Sequence, residues 1–422
     1  MQIRSFLKHL LLCFILYSIG LAQTVLVGTR VVSGESLPEN TALVEKRPLS
    51  PSSSSSSPSA SPAIRACNNS PSLCNRSYAN ITHLGAHDSP FISDETTGFS
   101  SSGNQYYNTT LQLSAGVRLL SAQLHSKTNS TTKVKEWHLC HSSCALLDAG
   151  TLSNWLSEIK TWMDSNPNEV VTLVIVNSNN ASADDINTEY RTSGIIQYVY
   201  EPPLTRSTTD ASKVVAPPMS SWPTLNEMIA EDRRLVTFVA NMPSNPDTAP
   251  PYILDEFTYV FENPFEVTAA SNFSCLPDRP SSVAGKPQEA VDSNRLFLQN
   301  HFLDVKQAFG IETPDEAEVA TTNSPDTTVP ATLGAAAQAC KRTYGGRNPN
   351  FLLVDFFNVG PAIDTVDQLN GVTAPLGRES ISALVQKEVV GSEAARAVGR
   401  SGGRGSLLAL GVVLAVAAMG LV

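Results

Sequence analysis

The sequence predicts one helix-wrapped parallel sheet closed into a distorted (β/α) barrel of the TIM type. Short apolar runs bounded by turn residues alternate with segments of helical spacing, which is the rhythm of repeated βα units. Those units occupy roughly three hundred residues, a length that one barrel domain fills. A doubly wound sheet is the alternative, but no glycine-rich phosphate loop follows the first strand, which weighs against its nucleotide-binding form.

The chain of 422 residues opens with Arg4 and Lys8, an apolar run Leu10–Leu21 and the small residues Gly20 and Ala22. This is the pattern of a secretory leader, residues 1–22, cut after Ala22. Residues 23–66 carry little periodicity and contain the Ser/Pro tract Ser50–Pro62, which buries too little apolar surface to order itself. They are expected to form a linker open to O-glycosylation. The barrel is placed at 67–385.

Its first strand is expected within Ile81–Phe91 (ITHLGAHDSPF), an apolar lead-in that delivers His87, Asp88 and Ser89 into a loop. Gln112–His125 holds a helix end, a stop at Gly116 and a strand over Val117–Leu124, and its alternation puts Ser121, Gln123 and His125 on one face. In Thr151–Met163 the residues Leu152, Trp155, Leu156, Ile159 and Met163 recur at helical spacing, with both Trp137 and Trp155 assigned to the core. The turn Asn166-Pro167 and the buried strand Val170–Val176 follow. Further on, Leu225–Ala230 and Ala335–Arg342 are expected as helices. Arg234–Ala240, Phe257–Phe261, Leu296–Leu298 running to His301, and Phe351–Phe357 are expected as strands. Pro202–Pro223, Pro243–Pro251 and Thr313–Thr332 are expected as surface loops. A spacer, 386–406, precedes the apolar tail Leu407–Val422, a pattern that fits a glycosylphosphatidylinositol-anchor signal, with a single membrane span as the other reading.

Seven sequons, at Asn68, Asn75, Asn80, Asn108, Asn129, Asn180 and Asn272, agree with passage through the secretory pathway to the cell surface or wall. With Cys13 in the leader, Cys67, Cys74, Cys140, Cys144, Cys275 and Cys340 remain. In an oxidising compartment they make three bridges, and short loops favour Cys67 with Cys74, Cys140 with Cys144 and Cys275 with Cys340. A zinc site in HLCHSSC (His138–Cys144) is the competing reading of the middle pair. The formal charge of -10 and the absence of any Lys/Arg run exclude a dominant nucleic-acid surface.

Two histidines on strand ends, His87 and one of the pair His138/His141, could act as general base and general acid on a single bond. A phosphodiester suits that division, since one imidazole deprotonates the attacking hydroxyl while the other protonates the leaving oxygen. Paired carboxylates of a glycoside hydrolase could come only from Asp255, Glu256 and Glu262.

The pieces HLGAHDS, GVRLLSAQLH (Gly116–His125), HLCHSSC and GTLSNWLSEIKTWMDSNPNEVVTLVIVN (Gly150–Asn177) resemble the X domain of phosphatidylinositol-specific phospholipases C. They are more closely similar to secreted fungal phospholipase C-like phosphodiesterases. WPTLNEMI, YILDEFTYVFENPF, NHFL (Asn300–Leu303) and LLVDFF (Leu352–Phe357) extend the likeness over roughly Ser77–Gly360. The resemblance implies a phosphoric diester hydrolase working on a phospholipid head group, with His87 as general base, Asp88 in support, His141 as general acid and Asp355 orienting His87. Arg118, Gln123 and His125 are the expected substrate contacts. Where bacterial members read GIRxxDIR, this chain carries Ser121 and Gln123. Calcium-dependent members place two carboxylates there, so neither a family-type calcium site nor any cofactor is expected. His125, if protonated, would replace the missing arginine charge. The same replacements motivate the alternative of a catalytically impaired binding glycoprotein on this barrel.

Overall fold

The computed structural model describes residues 65–242, 249–307 and 311–384. The expected leader, spacer and tail, and the linker before residue 65, lie outside them.

The chain builds β1 (His83–Ala86), α1 (Thr109–Ser114) and β2 (Leu119–Thr128), then an antiparallel excursion of β3 (Lys135–His141) and β4 (Leu147–Thr151). α2 (Leu152–Ser165), β5 (Val171–Asn177), α3 (Ala183–Ser193), α4 (Leu225–Ala230), β6 (Leu235–Ala240) and β7 (Ile253–Asp255) come next. The short α5 (Glu256–Tyr259) leads to β8 (Val260–Glu262), α6 (Pro287–Asp292) and β9 (Leu296–Asn300). A hairpin of β10 (Asp304–Lys306) and β11 (Glu312–Pro314), then α7 (Val319–Thr322), α8 (Leu333–Thr343), β12 (Phe351–Val354) and α9 (Ala362–Asn370), complete it.

Eight of these strands are parallel and bond in the order β7-β6-β5-β2-β1-β12-β9-β8. Except for β8, each of β2 to β12 in this set is the neighbour of the parallel strand before it in sequence, and the last, β12, pairs with the first. This is the strand order of an eightfold barrel, open at one seam: among the described residues no ladder joins β7 to β8. The expected distorted barrel is the observed fold.

Alternation along the strands explains the two cores. Leu119, Val174, Phe238, Leu298, Phe351 and Leu353 pack together, whereas their neighbours Leu120, Leu173, Val239, Leu352 and Val354 pack with the helices. In α2 the buried residues are Leu152, Trp155, Leu156, Ile159, Trp162 and Met163, capped by Thr151, whose side chain accepts from the Asn154 N–H. Gly85 marks the tightest point of the wall, since a Cβ there would stand 2.8 Å from methyls of both Leu119 and Leu353. At the strands' N-terminal end Tyr78 stacks on Trp222, packs against Phe351 and bonds Thr172 at 2.7 Å, closing the lumen.

Phe257–Phe261 departs from its expected strand because the Asp255 carboxylate accepts from the Thr258 N–H at 2.9 Å and caps a helical turn, leaving only Val260–Glu262 extended. Thr313–Thr332, expected as a loop, contributes to β11 and forms α7. Cys67–Cys74, Cys140–Cys144 and Cys275–Cys340 are all bridged. Bonded sulfurs offer no thiolate, and the neighbouring Asp148 is held by Lys127 and His138, so the zinc reading of HLCHSSC fails. Trp137 and Trp155 are both buried.

Two surface expectations need correction. Asn68 is buried, with its carbonyl accepting from the Val170 N–H at 2.7 Å, which leaves a glycan no exit. Arg118, expected at the substrate, lies just before β2 at the N-terminal end. It is buried there, donating to Glu169 at 2.9 Å, to the Leu113 and Val117 carbonyls at 2.7 Å and to Asn69 at 2.8 Å. Gln123 is five steps along the strand from it, roughly 16 Å.

Because Arg118→Ala strands the buried Glu169 carboxylate, it should destabilise the fold by about 3–5 kcal/mol. Chemical denaturation of the purified domain measures this, and unchanged stability would contradict the structural role. Peptide mapping of secreted protein should also recover Asn68 unmodified.

Candidate active site

At the mouth formed by the C-terminal strand ends, the His87 N–H donates to the Val354 carbonyl at 2.9 Å, carrying the pairing of β1 with β12 one residue beyond the strand. Gln105 locks the two ends by donating to the His87 and Val354 carbonyls at 2.8 and 3.1 Å. The chain then turns sharply at Asp88, which is left-handed at φ 46°, a conformation Asp accepts more readily than most residues.

His87 Nδ1 lies 2.9 Å from Asp355 Oδ1, and the buried Asn104 amide donates to that same oxygen at 3.0 Å. With Nδ1–H given to the carboxylate, Nε2 is the nitrogen left for chemistry. The ring lies flat against Phe302, with centroids 3.9 Å apart and planes within 8°.

Asp88 joins the two histidines. Its Oδ2 stands 3.8 Å from His87 Nε2 and 3.6 Å from His141 Nε2, and it accepts from Gln123 Nε2 at 2.6 Å. The Asp88 N–H donates to Ser121 Oγ at 2.8 Å. His141 is the last residue of β3, held at its neighbour by the Cys140–Cys144 bridge and packed edge-on against Phe91.

His87, Asp88, His141 and Asp355 therefore meet in one place. Gln123 touches them in a different way from that expected: its amide donates one hydrogen to Asp88 and accepts from the Ser142 N–H at 3.0 Å, so it is oriented by the site's own residues. His125 lies two residues further along the same face. Burial holds its pKa below the ordinary histidine value, although Asn179 and Asp88 act in the opposite sense. That direction works against the expected imidazolium.

Burial works against charge on His87 too, but Asp88, then Asp355 and Asp304, overcome it and raise its pKa to about 9. On His141 burial prevails over Asp88, and the pKa is lowered. The two shifts run in opposite directions and favour charge on His87 over His141. Asp304, directly after the Asn300–Leu303 piece, is half-buried, and burial together with the Asp355 charge raises its pKa to about 7. Asn104, Gln105 and Asp304 lie outside every expected site motif, and Phe302 lies inside the Asn300–Leu303 piece without a role expected of it. Glu256 and Glu262 are buried in the wall, with Glu262 paired to Arg279, and do not flank an open cleft as a glycoside hydrolase requires.

Fold and site define a barrel protein with two aspartate-backed histidines at its C-terminal mouth. The PI-PLC X family, described as PI-PLC X 1, matches residues 73–370. The chain is 36% identical over 308 residues to "PI-PLC X domain-containing protein 1" of Arthroderma benhamiae, covering 72% of this chain and 90% of that relative. It is 33% identical over 362 residues to an "Uncharacterized secreted protein" of the same organism, covering 83% and 74%. Among solved structures, the phosphatidylinositol-specific phospholipase C of Listeria monocytogenes is similar at 16% identity and a TM-score of 0.44, covering 71% of this chain and 95% of that one. The chain belongs to the PI-PLC X family.

Removing one of the carboxylates that hold the proton on His87 leaves burial less opposed. In Asp355→Asn the His87 titration, followed by NMR of the ring protons, should fall from about 9 by more than about one unit. An unmoved midpoint would show that Asp355 does not set its charge.

Proposed function

We propose that the protein is a secreted or cell-surface phosphoric diester hydrolase of the phospholipase C type that cleaves the head-group diester of a phospholipid. The observation that carries this reading is the pair His87 and His141, each within reach of a buried aspartate and both facing Asp88 at the mouth of a family barrel. His87 takes the proton of the attacking hydroxyl and His141 gives one to the leaving oxygen.

The assignment follows intrinsic strength. The imidazole of higher pKa is the stronger base and that of lower pKa the stronger acid, so the reactive arrangement has the single proton on His141. The resting arrangement, with the proton on His87, supports the opposite division. Both contain one proton on the pair, so both give a rate that falls below the ordinary histidine range and again above pH about 9.

Turnover without calcium is part of the proposal. Ser121 and Gln123 offer no carboxylate, and both are occupied in holding Asp88. Secretion is supported by the leader pattern, the three disulfides and the name of the Arthroderma relative. The C-terminal tail is proposed as a glycosylphosphatidylinositol signal, and the exposed Asn75, Asn80, Asn108, Asn180 and Asn272 as glycan sites, with the half-buried Asn129 bonded to Glu136. A catalytically impaired binding glycoprotein remains the second reading, favoured by the neutral Gln123 where bacterial relatives carry arginine.

His87→Ala should reduce hydrolysis by about two to four decades with any leaving group. His141→Ala should do so with a dialkyl phosphodiester but recover most of its rate on a 4-nitrophenyl diester, whose leaving group needs no proton. The reverse pattern exchanges the two roles. A wild-type protein inactive on every diester, with chelator or with calcium, supports the binding glycoprotein.

A further inference from the structure

Behind the barrel wall, on the side of β9 that faces away from the lumen, lies a cavity of about 590 Å³. Alternation along the chain separates the two sides: Leu298 and Phe302 pack in the lumen cluster, whereas Gln299 and His301 line the cavity. The opposite wall is α8, which presents Ala335, Ala336 and Ala339 there, and these short side chains on one helix face leave the space open. Phe273 forms a third side, stacked on the His301 ring with centroids 4.1 Å apart. The bridge between Cys275 and Cys340 ties the segment carrying Phe273 to α8, so two of the walls are joined covalently and the space is formed before any ligand arrives.

The polar groups that β9 offers to this space are acceptors without donors. Gln299 is 1% exposed, and its Oε1 has no hydrogen-bond partner. A buried carbonyl oxygen left unpaired is costly, and the neighbouring Asn263 shows the usual outcome. Its amide donates to the Ser274 and Asn300 carbonyls at 2.9 and 3.1 Å, and its oxygen accepts from the Asn300 N–H at 2.6 Å. His301 Nε2 lies 3.1 and 3.2 Å from the Thr322 and Ala331 carbonyls, so that nitrogen carries the hydrogen. Burial lowers the His301 pKa to about 4, which leaves the ring neutral and Nδ1 an acceptor. Among the described residues no Asp or Glu lines the cavity, and its charged lining residue, Arg342, is exposed.

We propose that this cavity is a second binding site, for an uncharged amphiphile: a hydrocarbon body carrying a hydroxyl group that donates to Gln299 Oε1, with the hydrocarbon lying along Ala335, Ala336 and Ala339 and against Phe273. Each feature of the cavity selects one part of that ligand. The unpaired buried oxygen calls for an O–H donor, and the alanine face and the phenyl ring offer apolar surface for the body to cover. A cationic group would find no carboxylate there, and a charge carried to the buried end would lose its hydration without a counter-ion. Acylglycerols and sterols share this chemistry. The site does not rest on the phosphodiesterase reading, because none of its residues belongs to the histidine centre.

The test measures binding to the intact secreted protein by calorimetry, with decan-1-ol, its methyl ether and decanoate as probes below their micelle concentrations. 1-Decanoylglycerol and the fluorescent sterol dehydroergosterol distinguish the two sources, and binding of either upholds the site. Decan-1-ol should bind about five- to tenfold more tightly than the ether, and Gln299→Leu should shrink that difference to less than about twofold. Ala336→Trp, which fills the space from α8, should weaken every probe by about tenfold or more. Should that variant fail to fold by near-ultraviolet circular dichroism, Ala339→Leu occupies the same space. His87→Ala should bind all probes as the wild type does, which separates the cavity from the barrel mouth. No binding of any hydroxyl-bearing probe overturns the proposal. So does equal binding of alcohol and ether, a preference that survives Gln299→Leu, or tighter binding of decanoate than of the alcohol. Binding that the filled cavity leaves intact but His87→Ala removes assigns the ligand to the mouth and overturns it as well.

Discussion

The active centre depends on where one carboxylate is held. Asp88 occupies a left-handed turn directly after His87, and without that turn its side chain would not stand beside both histidines. The conformation is maintained from β2, where Ser121 accepts the Asp88 N–H and Gln123 donates to its carboxylate. Gln123 in turn accepts from Ser142, next to His141, so one amide side chain spans from the first strand's loop to the β3 excursion. Ser121 and Gln123 are used here to fix an aspartate, and the electrostatics follow from that. Two buried carboxylates around one imidazole raise the pKa of His87 to about 9, while on His141 burial prevails and the pKa is lowered.

The barrel was legible wherever an apolar run announced a buried strand: β1, β6, β9 and β12 lie within expected segments, while β2 and β5 begin inside theirs and run past the expected ends at Leu124 and Val176. The β3–β4 excursion was not, because Lys135, Glu136, His138 and His141 interrupt the apolar residues of β3 although most of that strand is buried, β4 has no fully buried residue, and the three-residue β7 is too short to register. At Phe257–Phe261 local chemistry prevailed over apolar content through the Asp255 cap. For the site, His87 and His141 could be singled out since strand-end histidines near polar turns are few in this chain, and Asp355 since it closes an apolar run. The substrate contacts expected at Arg118, Gln123 and His125 show the limit of the same reasoning. Alternation tells which face of a strand a side chain occupies but not its height along the barrel or whether a neighbour has already claimed it. Asn104 and Gln105 lie in an aperiodic polar loop, and their part is visible only once β1 and β12 are side by side.

The excursion after β2 also changes what the mouth is made of. In a plain βα unit the chain would enter a helix directly after the strand, whereas here β3 runs back antiparallel to β2, with His125 opposite His138, and ends at His141. The second histidine is thus delivered by a hairpin outside the parallel set. The bridge between Cys140 and Cys144 closes the chain immediately around it, so a residue at a strand end is constrained on both sides.

β2 separates two kinds of demand along a single strand. At its N-terminal approach Arg118 and Glu169 form a buried pair that the fold requires, and at its far half Ser121 and Gln123 shape the site without entering that network. Substitutions at the mouth are therefore largely decoupled from the interactions that keep the barrel folded. For a lineage this is a route to drift: the chemistry of the mouth can be exchanged by a few changes at the rim, while the sequence beneath remains under selection for nothing more than a stable scaffold.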